Sequence, residues 1–210
     1  MVHCIMENGL MVLAGADGSG KTTISRLLAS YLSSYGSTCV HWFRGTHLFT
    51  SVLACLLSRF QVFYGDCNPY YGVCIPEKLR ALWLYLEFLS LLPHYFTRLL
   101  LRRFCRFVVC DRGVLDFVVW LVVTLDTLKV FRSLCGRFLL RLVTRERVVY
   151  LYADIDVLAR RADVSRKFIV KELVVYSVLA KYVSSCSIDT GVKSPWEVLR
   201  GVLKCLEVQR

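Results

Sequence analysis

Apolar and polar positions along this chain follow two rhythms. Leu10-Met11-Val12-Leu13-Ala14 is an unbroken apolar run of strand length, suited to a strand buried on both faces. It is followed by Ile24, Leu27, Leu28, Tyr31 and Tyr35, apolar at helical spacing, with Gly36 as the expected C-cap. The same alternation of strand and helix recurs to the end of the chain. Further strands are predicted at 38–43, 106–111, 147–153 and 186–190, and helices at 48–62, from Pro76 onward, at 114–125, at 127–143, at 154–161 and through about Ser184. Ser194-Pro195-Trp196-Glu197 reads as a capping box that opens a last helix with the apolar stripe Leu199, Val202, Leu203 and Leu206. Residues 64–76, rich in Gly, Asn, Pro and Tyr, read as a loop. Five strands alternating with helices predict one α/β domain over 1–210, a parallel sheet covered by helices on both faces.

Composition sharpens this picture. Hydrophobic residues make up 56% of the 210 positions and mean hydropathy is +0.50. The longest apolar stretches are nonetheless interrupted, 81–97 by Glu87 and Pro93 and 114–128 by Asp116 and Asp126. Neither offers the ~20 uncharged residues of a spanning helix. They read as buried helices or a subunit interface, and no membrane partner is expected. No signal peptide is visible, so the expected location is cytoplasmic. The formal charge is +11, with arginine well ahead of lysine. That suits a basic cleft for phosphorylated small molecules, and no nucleic-acid-binding signature accompanies it. None of the ten cysteines is spaced C-x-x-C, which argues against zinc. Asn and Gln are nearly absent, a thermophile tendency, and intracellular disulfides are accepted in hyperthermophilic archaea. One or two disulfides are expected.

The chemistry lies first in Gly15-Ala16-Asp17-Gly18-Ser19-Gly20-Lys21-Thr22-Thr23, which fits G-x-x-x-x-G-K-[ST] between a strand and a helix. Such a loop turns backbone N–H groups toward phosphate oxygens, with Lys21 reaching the β- and γ-phosphates and Thr22 offering a hydroxyl to Mg²⁺. All nine residues are ATP-binding candidates. The apolar run 106–110 ends in Asp111, a carboxylate beside the metal, and Arg112 follows at once. Arg44, at the end of the second strand, is either a ligand for the acceptor's phosphate or a surface arginine. Tyr70 and Tyr71 either stack on a substrate ring or dock their loop to the core. Arg80, Trp83 and Glu87 share one helical face and read as a lined cavity or a buried salt bridge. Arg160, Arg161, Arg166 and Lys167 form a basic hairpin that either closes over a triphosphate as a lid near 160–168 or is a solvated face.

Together these residues resemble the thymidylate kinase family of P-loop proteins over nearly the whole length. The matching pieces are G-A-D-G-S-G-K-T-T at 15–23, C-D-R at 110–112, Y-L-Y-A-D-I-D-V-L-A-R-R at 150–161, and I-D-T with S-P-W-E-V at 188–198. The resemblance implies a three-layer fold with strand order 2-3-1-4-5, a homodimer, and transfer of the ATP γ-phosphoryl group to dTMP with Mg²⁺. Asp17, which would face the acceptor's sugar, and Lys21, Asp111, Arg112 and Arg166 would then be catalytic, and Thr22 and Asp111 would hold the metal. Arg160 and Arg161 would flank ATP, 191–194 would lie at adenine, and Arg44, Tyr70, Arg80 and Arg112 would meet the acceptor. The chain departs from the family at three places. Gly113 replaces an aromatic residue, Arg44-Gly45-Thr46 replaces Arg-Glu-Pro-Gly, and 82–88 lacks the arginine that meets thymine. The alternatives are a kinase of another small hydroxyl acceptor, or a nucleotide-binding regulatory or scaffold homologue.

Overall fold

The structure, a computed structural model, describes residues 9–42 and 45–207. Five parallel strands form its sheet: β1 (Gly9–Ala14), β2 (Thr38–Trp42), β4 (Phe107–Asp111), β5 (Arg147–Tyr152) and β6 (Ser184–Asp189). Their order is β2-β4-β1-β5-β6. This differs from the expected 2-3-1-4-5 because an additional strand, β3 (Tyr64–Asn68), intervenes in the chain. It bridges antiparallel to Val73 and stays outside the sheet. Residues 64–76 are thus a hairpin rather than an unstructured loop, closed by a Cys67–Cys74 disulfide.

The period-two alternation of the strands divides the interior into two cores. Val12, Ala14, Val108, Cys110, Val148 and Tyr150 face one layer, while Met11, Leu13, Phe107, Val109, Val149 and Leu151 face the other. The second layer holds α1 (Lys21–Ser33) and α8 (Pro195–Glu207), which supply Ile24, Leu28, Leu32, Val198, Leu199 and Val202. The first layer is thicker. At its centre lies α4 (Val114–Leu125), every residue of which is buried. Around it pack α3 (Glu77–Phe104), α5 (Leu134–Val143) and α7 (Arg166–Val183), with α2 (Phe49–Leu57) against α3. A helix buried all round is apolar all round, and α4 accounts for much of the high hydropathy. Among the described residues no helix is long and apolar enough to cross a membrane.

Two expected helices are shorter than predicted. The one expected over 48–62 ends at Leu57, and a 3₁₀ turn at Gln61–Phe63 leads into β3. The one expected over 127–143 is a 3₁₀ segment, Leu128–Arg132, followed by α5. Ser133 causes that break: its Oγ accepts the Gly136 N–H at 2.9 Å and caps a new helix. Besides Cys67–Cys74, disulfides join Cys39 to Cys105 and Cys186 to Cys205, so three are present among the described residues where one or two were expected. Residues 162–165 connect α6 (Ile155–Arg161) to α7 in the stretch expected to form a lid.

Candidate active site

The loop between β1 and α1 lies over the C-terminal ends of the parallel strands, where ligands of open α/β sheets bind. Its glycines are set by close approach. A Cβ on Gly15, whose φ is +152°, would collide with the Leu151 carbonyl of β5, and one on Gly18 would lie 2.6 Å from the Leu158 carbonyl of α6. The loop is therefore held between β5 and the helix that leads to the basic hairpin. Lys21 curls back under it, its Nζ donating to the Gly15 and Ala16 carbonyls at 2.6 and 2.8 Å and to Ser19 Oγ at 3.4 Å. Burial and the neighbouring Arg112 charge push the Lys21 ammonium below its usual pKa, against the pull of Asp17, Asp116 and Glu172.

Thr22 Oγ1 donates to Asp111 Oδ2 at 2.6 Å, joining the start of α1 to the tip of β4 across 89 residues of sequence. Asp111 Oδ1 is buried and has no hydrogen-bond partner. A hydroxyl beside a carboxylate with one open oxygen is an oxygen-donor set that suits Mg²⁺, which takes few protein ligands and completes its shell with water and phosphate. The residues present thus fit the metal. Beside them Arg112 donates to Asp17 Oδ1 at 2.6 Å, and the Tyr70 hydroxyl donates to Asp17 Oδ2 at 2.6 Å. Burial pushes the Asp17 carboxyl up, but Arg112, Lys21 and Tyr70 together hold it well below the usual range. Arg112 has a φ of +84°, sparsely populated for a residue with a Cβ. Its carbonyl accepts from Arg98 at 3.2 Å, and Arg98 pairs with Glu146 in the interior. Glu146 also accepts the Val114 N–H at 2.9 Å. The backbone that aims Arg112 is therefore pinned from below.

Sequence reasoning missed three carboxylates around this centre. Asp116 accepts from the N–H of Gly15 at 3.1 Å, the N–H of Gly113 at 2.8 Å and the Tyr176 hydroxyl at 2.7 Å, tying the phosphate loop to α4 and α7. Glu172 accepts the Asp17 N–H at 3.0 Å from the buried face of α7, and burial together with the nearby Asp17 charge pushes its carboxyl up to about 8. Glu146 is the third. The available signal was a charged residue set in an apolar stretch: Asp116 in 114–125, and Glu172 among Phe168, Ile169, Tyr176 and Ala180.

The remaining predicted residues are distributed as follows. Arg161 donates to the Thr190 carbonyl at 3.1 Å, and its Cβ lies near Gly18. Arg160 bonds back to Asp156 O at 3.2 Å, and Arg166 pairs with Asp156 at 2.6 Å in an exposed setting. Arg80 donates to the carbonyls of Ile75 and Asp126 and lines a cavity of about 220 Å³ with Glu77, Tyr85 and Lys129, so the structure does not bring it to the loop. Glu87 makes no salt bridge with Arg80. It is buried and accepts from Thr46, Thr50 and Trp83, anchoring the segment after β2. Arg44 lies outside the described residues.

No protein-family model and no curated protein matches the chain. Solved structures do. Thymidylate kinase from Candida albicans superposes with a TM-score of 0.62 at 13% identity, covering 96% of this chain and 92% of its own. Thymidylate kinase from Ehrlichia chaffeensis gives 0.59 at 18% identity, with 94% and 98% covered. The fold is that of the thymidylate kinases. A YorR protein of Bacillus subtilis, solved in complex with phosphorylated GDP, gives 0.53 at 19% identity over 95% and 96%.

Within that fold the departure at Gly113 has a packing cause. A Cβ there would overlap Val12 Cγ1 and lie 2.7 Å from Glu146 Oε2. Val12 and Glu146 together leave no room for a larger residue at this position. On α3, Phe88 packs edge-on against Phe138, beside the buried Glu87.

Proposed function

We propose that the protein is an ATP- and Mg²⁺-dependent phosphotransferase, moving the γ-phosphoryl group to a nucleoside monophosphate or a related small hydroxyl acceptor, with dTMP the first candidate. The observation that carries this reading is the pair of 2.6 Å contacts, Thr22–Asp111 and Asp17–Arg112, that gather metal and phosphate chemistry beside the loop. ATP phosphates lie along the amides of 15–23, with Lys21 exchanging loop carbonyls for phosphate oxygens. Thr22 and Asp111 would hold the cation, which would supply positive charge to the phosphates of ATP. Arg112 and Arg166 meet the transferring group, Arg166 by leaving Asp156. Arg160 and Arg161 flank the nucleotide, while Arg112 and Tyr70 face the acceptor. Catalysis is positioning and charge stabilisation.

A second copy of the chain is the proposed partner. Leu82, Tyr85, Leu89, Leu92, Phe96 and Leu99 lie exposed along α3 at spacings of three and four residues. That is the seam of a helix pair, and an isologous pairing of one α3 with another would bury it.

ADP release, followed by a coupled assay over dTMP, dUMP, other monophosphates, nucleosides and polyols, tests the activity. Saturable turnover with one acceptor class is expected, and it is abolished by Lys21→Ala. Near-normal turnover in that variant would refute the phosphate-loop assignment. Tight ATP binding with no acceptor-dependent ADP release would favour the nucleotide-binding scaffold, a reading that the occupation of Asp17 by Tyr70 also favours.

A further inference from the structure

The hairpin of β3 places its tip against the loop between β1 and α1. Asn68 caps the turn by accepting the Tyr70 N–H at 3.2 Å and reaches Thr46 Oγ1 with its amide at 3.2 Å. That threonine in turn donates to Glu87 and accepts the Trp120 indole N–H at 3.1 Å, so the tip is tied to α3 and α4 at once. The Tyr70 ring lies stacked on Trp120, with centroids 5.6 Å apart and planes 24° from parallel. Gly45 closes on the same indole so tightly that a Cβ would overlap it. Beyond the stack, the Tyr70 hydroxyl reaches Asp17 Oδ2, while Arg112 occupies Oδ1. Both oxygens of the phosphate loop's carboxylate are thus taken, one by a phenol supplied by the chain itself.

We propose that Tyr70 sets acceptor specificity by standing in for the acceptor. Its hydroxyl fills the place of an acceptor hydroxyl on Asp17, and its ring fills the flat site against Trp120. This rests on the phosphotransferase reading and adds to it the class of molecule admitted. Asp17 repels a phosphorylated compound brought to Arg112 unless that compound also carries a hydroxyl donor to replace the phenol. A compound bearing a nucleobase must in addition displace the ring. A nucleotide such as dTMP therefore enters only at the expense of the Tyr70 contacts.

The test is dTMP binding by calorimetry to wild type, Tyr70→Phe and Tyr70→Ala, with a fluorescent ATP analogue titrated in parallel. Losing a hydrogen bond to a charged group and a ring stack corresponds to about tenfold or more in affinity. Tyr70→Ala is therefore expected to bind dTMP at least about tenfold more tightly than wild type. Tyr70→Phe, which keeps the ring and loses the hydroxyl, is expected to fall between them. Equal or weaker dTMP binding by Tyr70→Ala overturns the proposal, as does an absence of dTMP binding in all three proteins while the ATP analogue binds. Failure of the ATP analogue to bind any of them would instead overturn the kinase reading. Far-UV circular dichroism of Tyr70→Phe, the milder change, shows that the comparison is made between folded proteins.

Discussion

The ion pair beneath the Asp111–Arg112 turn gives the most quantitative prediction. Glu146 and Arg98 are both buried, and each also bonds a backbone group that shapes the Asp111–Arg112 turn, the Val114 N–H and the Arg112 carbonyl. Glu146→Ala removes the carboxylate that neutralises the Arg98 guanidinium in the interior. Breaking a buried pair in this way costs about 3–5 kcal/mol, against a total stability of about 5–15 kcal/mol for a domain of ordinary size. The variant should show that loss in urea denaturation at pH 7, as a lower midpoint with an unchanged slope. Replacing both partners by Arg98→Met and Glu146→Leu removes both desolvated charges and should recover most of the loss, because a buried pair and an apolar pair of similar volume are often close in free energy. A loss below about 1 kcal/mol for Glu146→Ala, or a double variant less stable than either single one, would refute the reasoning.

Three further predictions address the site and the surface. Arg112→Ala and Arg166→Ala should each lower kcat by roughly 10³–10⁵, about 4–7 kcal/mol, while a fluorescent ATP analogue still binds. Glu172, pushed up to about 8 in the fold, holds a proton that the unfolded chain releases above its ordinary pKa of 4.5. Wild-type stability is thus favoured below pH 4.5 and declines as pH rises to about 8. Glu172→Gln should lack this decline, so urea midpoints measured at pH 5 and pH 8 should diverge between the two proteins; parallel midpoints would refute the assignment. Leu89→Glu combined with Phe96→Glu places charges in the α3 seam and should turn a dimer into a monomer in sedimentation velocity, with little change in thermal midpoint below the dissociation concentration.

The parts legible in the sequence were those whose physics is local. The spacing of Gly15, Gly18, Gly20 and Lys21 states its own chemistry, and the apolar run ending in Asp111 marks a strand tip. The assignments of β1, β4 and β5 held because an unbroken apolar run has few other uses in a two-faced sheet. What escaped were partnerships across the chain. Glu172 meets Asp17 across 155 residues and Asp116 meets Gly15 across 101, separations at which no periodicity speaks. Residues 64–76 looked like a loop because their turn residues outvote a five-residue strand. A serine inside 127–143 was read as helix interior, although Ser133 is a strong capping residue. The arginines of the basic hairpin were legible as a cluster, but their individual partners, Asp156 and the Thr190 carbonyl, were not.

The crowding around Gly113 carries a lesson for tracing ancestry. With Val12 on one side and Glu146 on the other, a side chain at 113 and a carboxylate at 146 exclude each other. Descendants of this lineage should therefore change positions 12, 98, 113 and 146 as a set, and that quartet would mark them even after overall identity has faded.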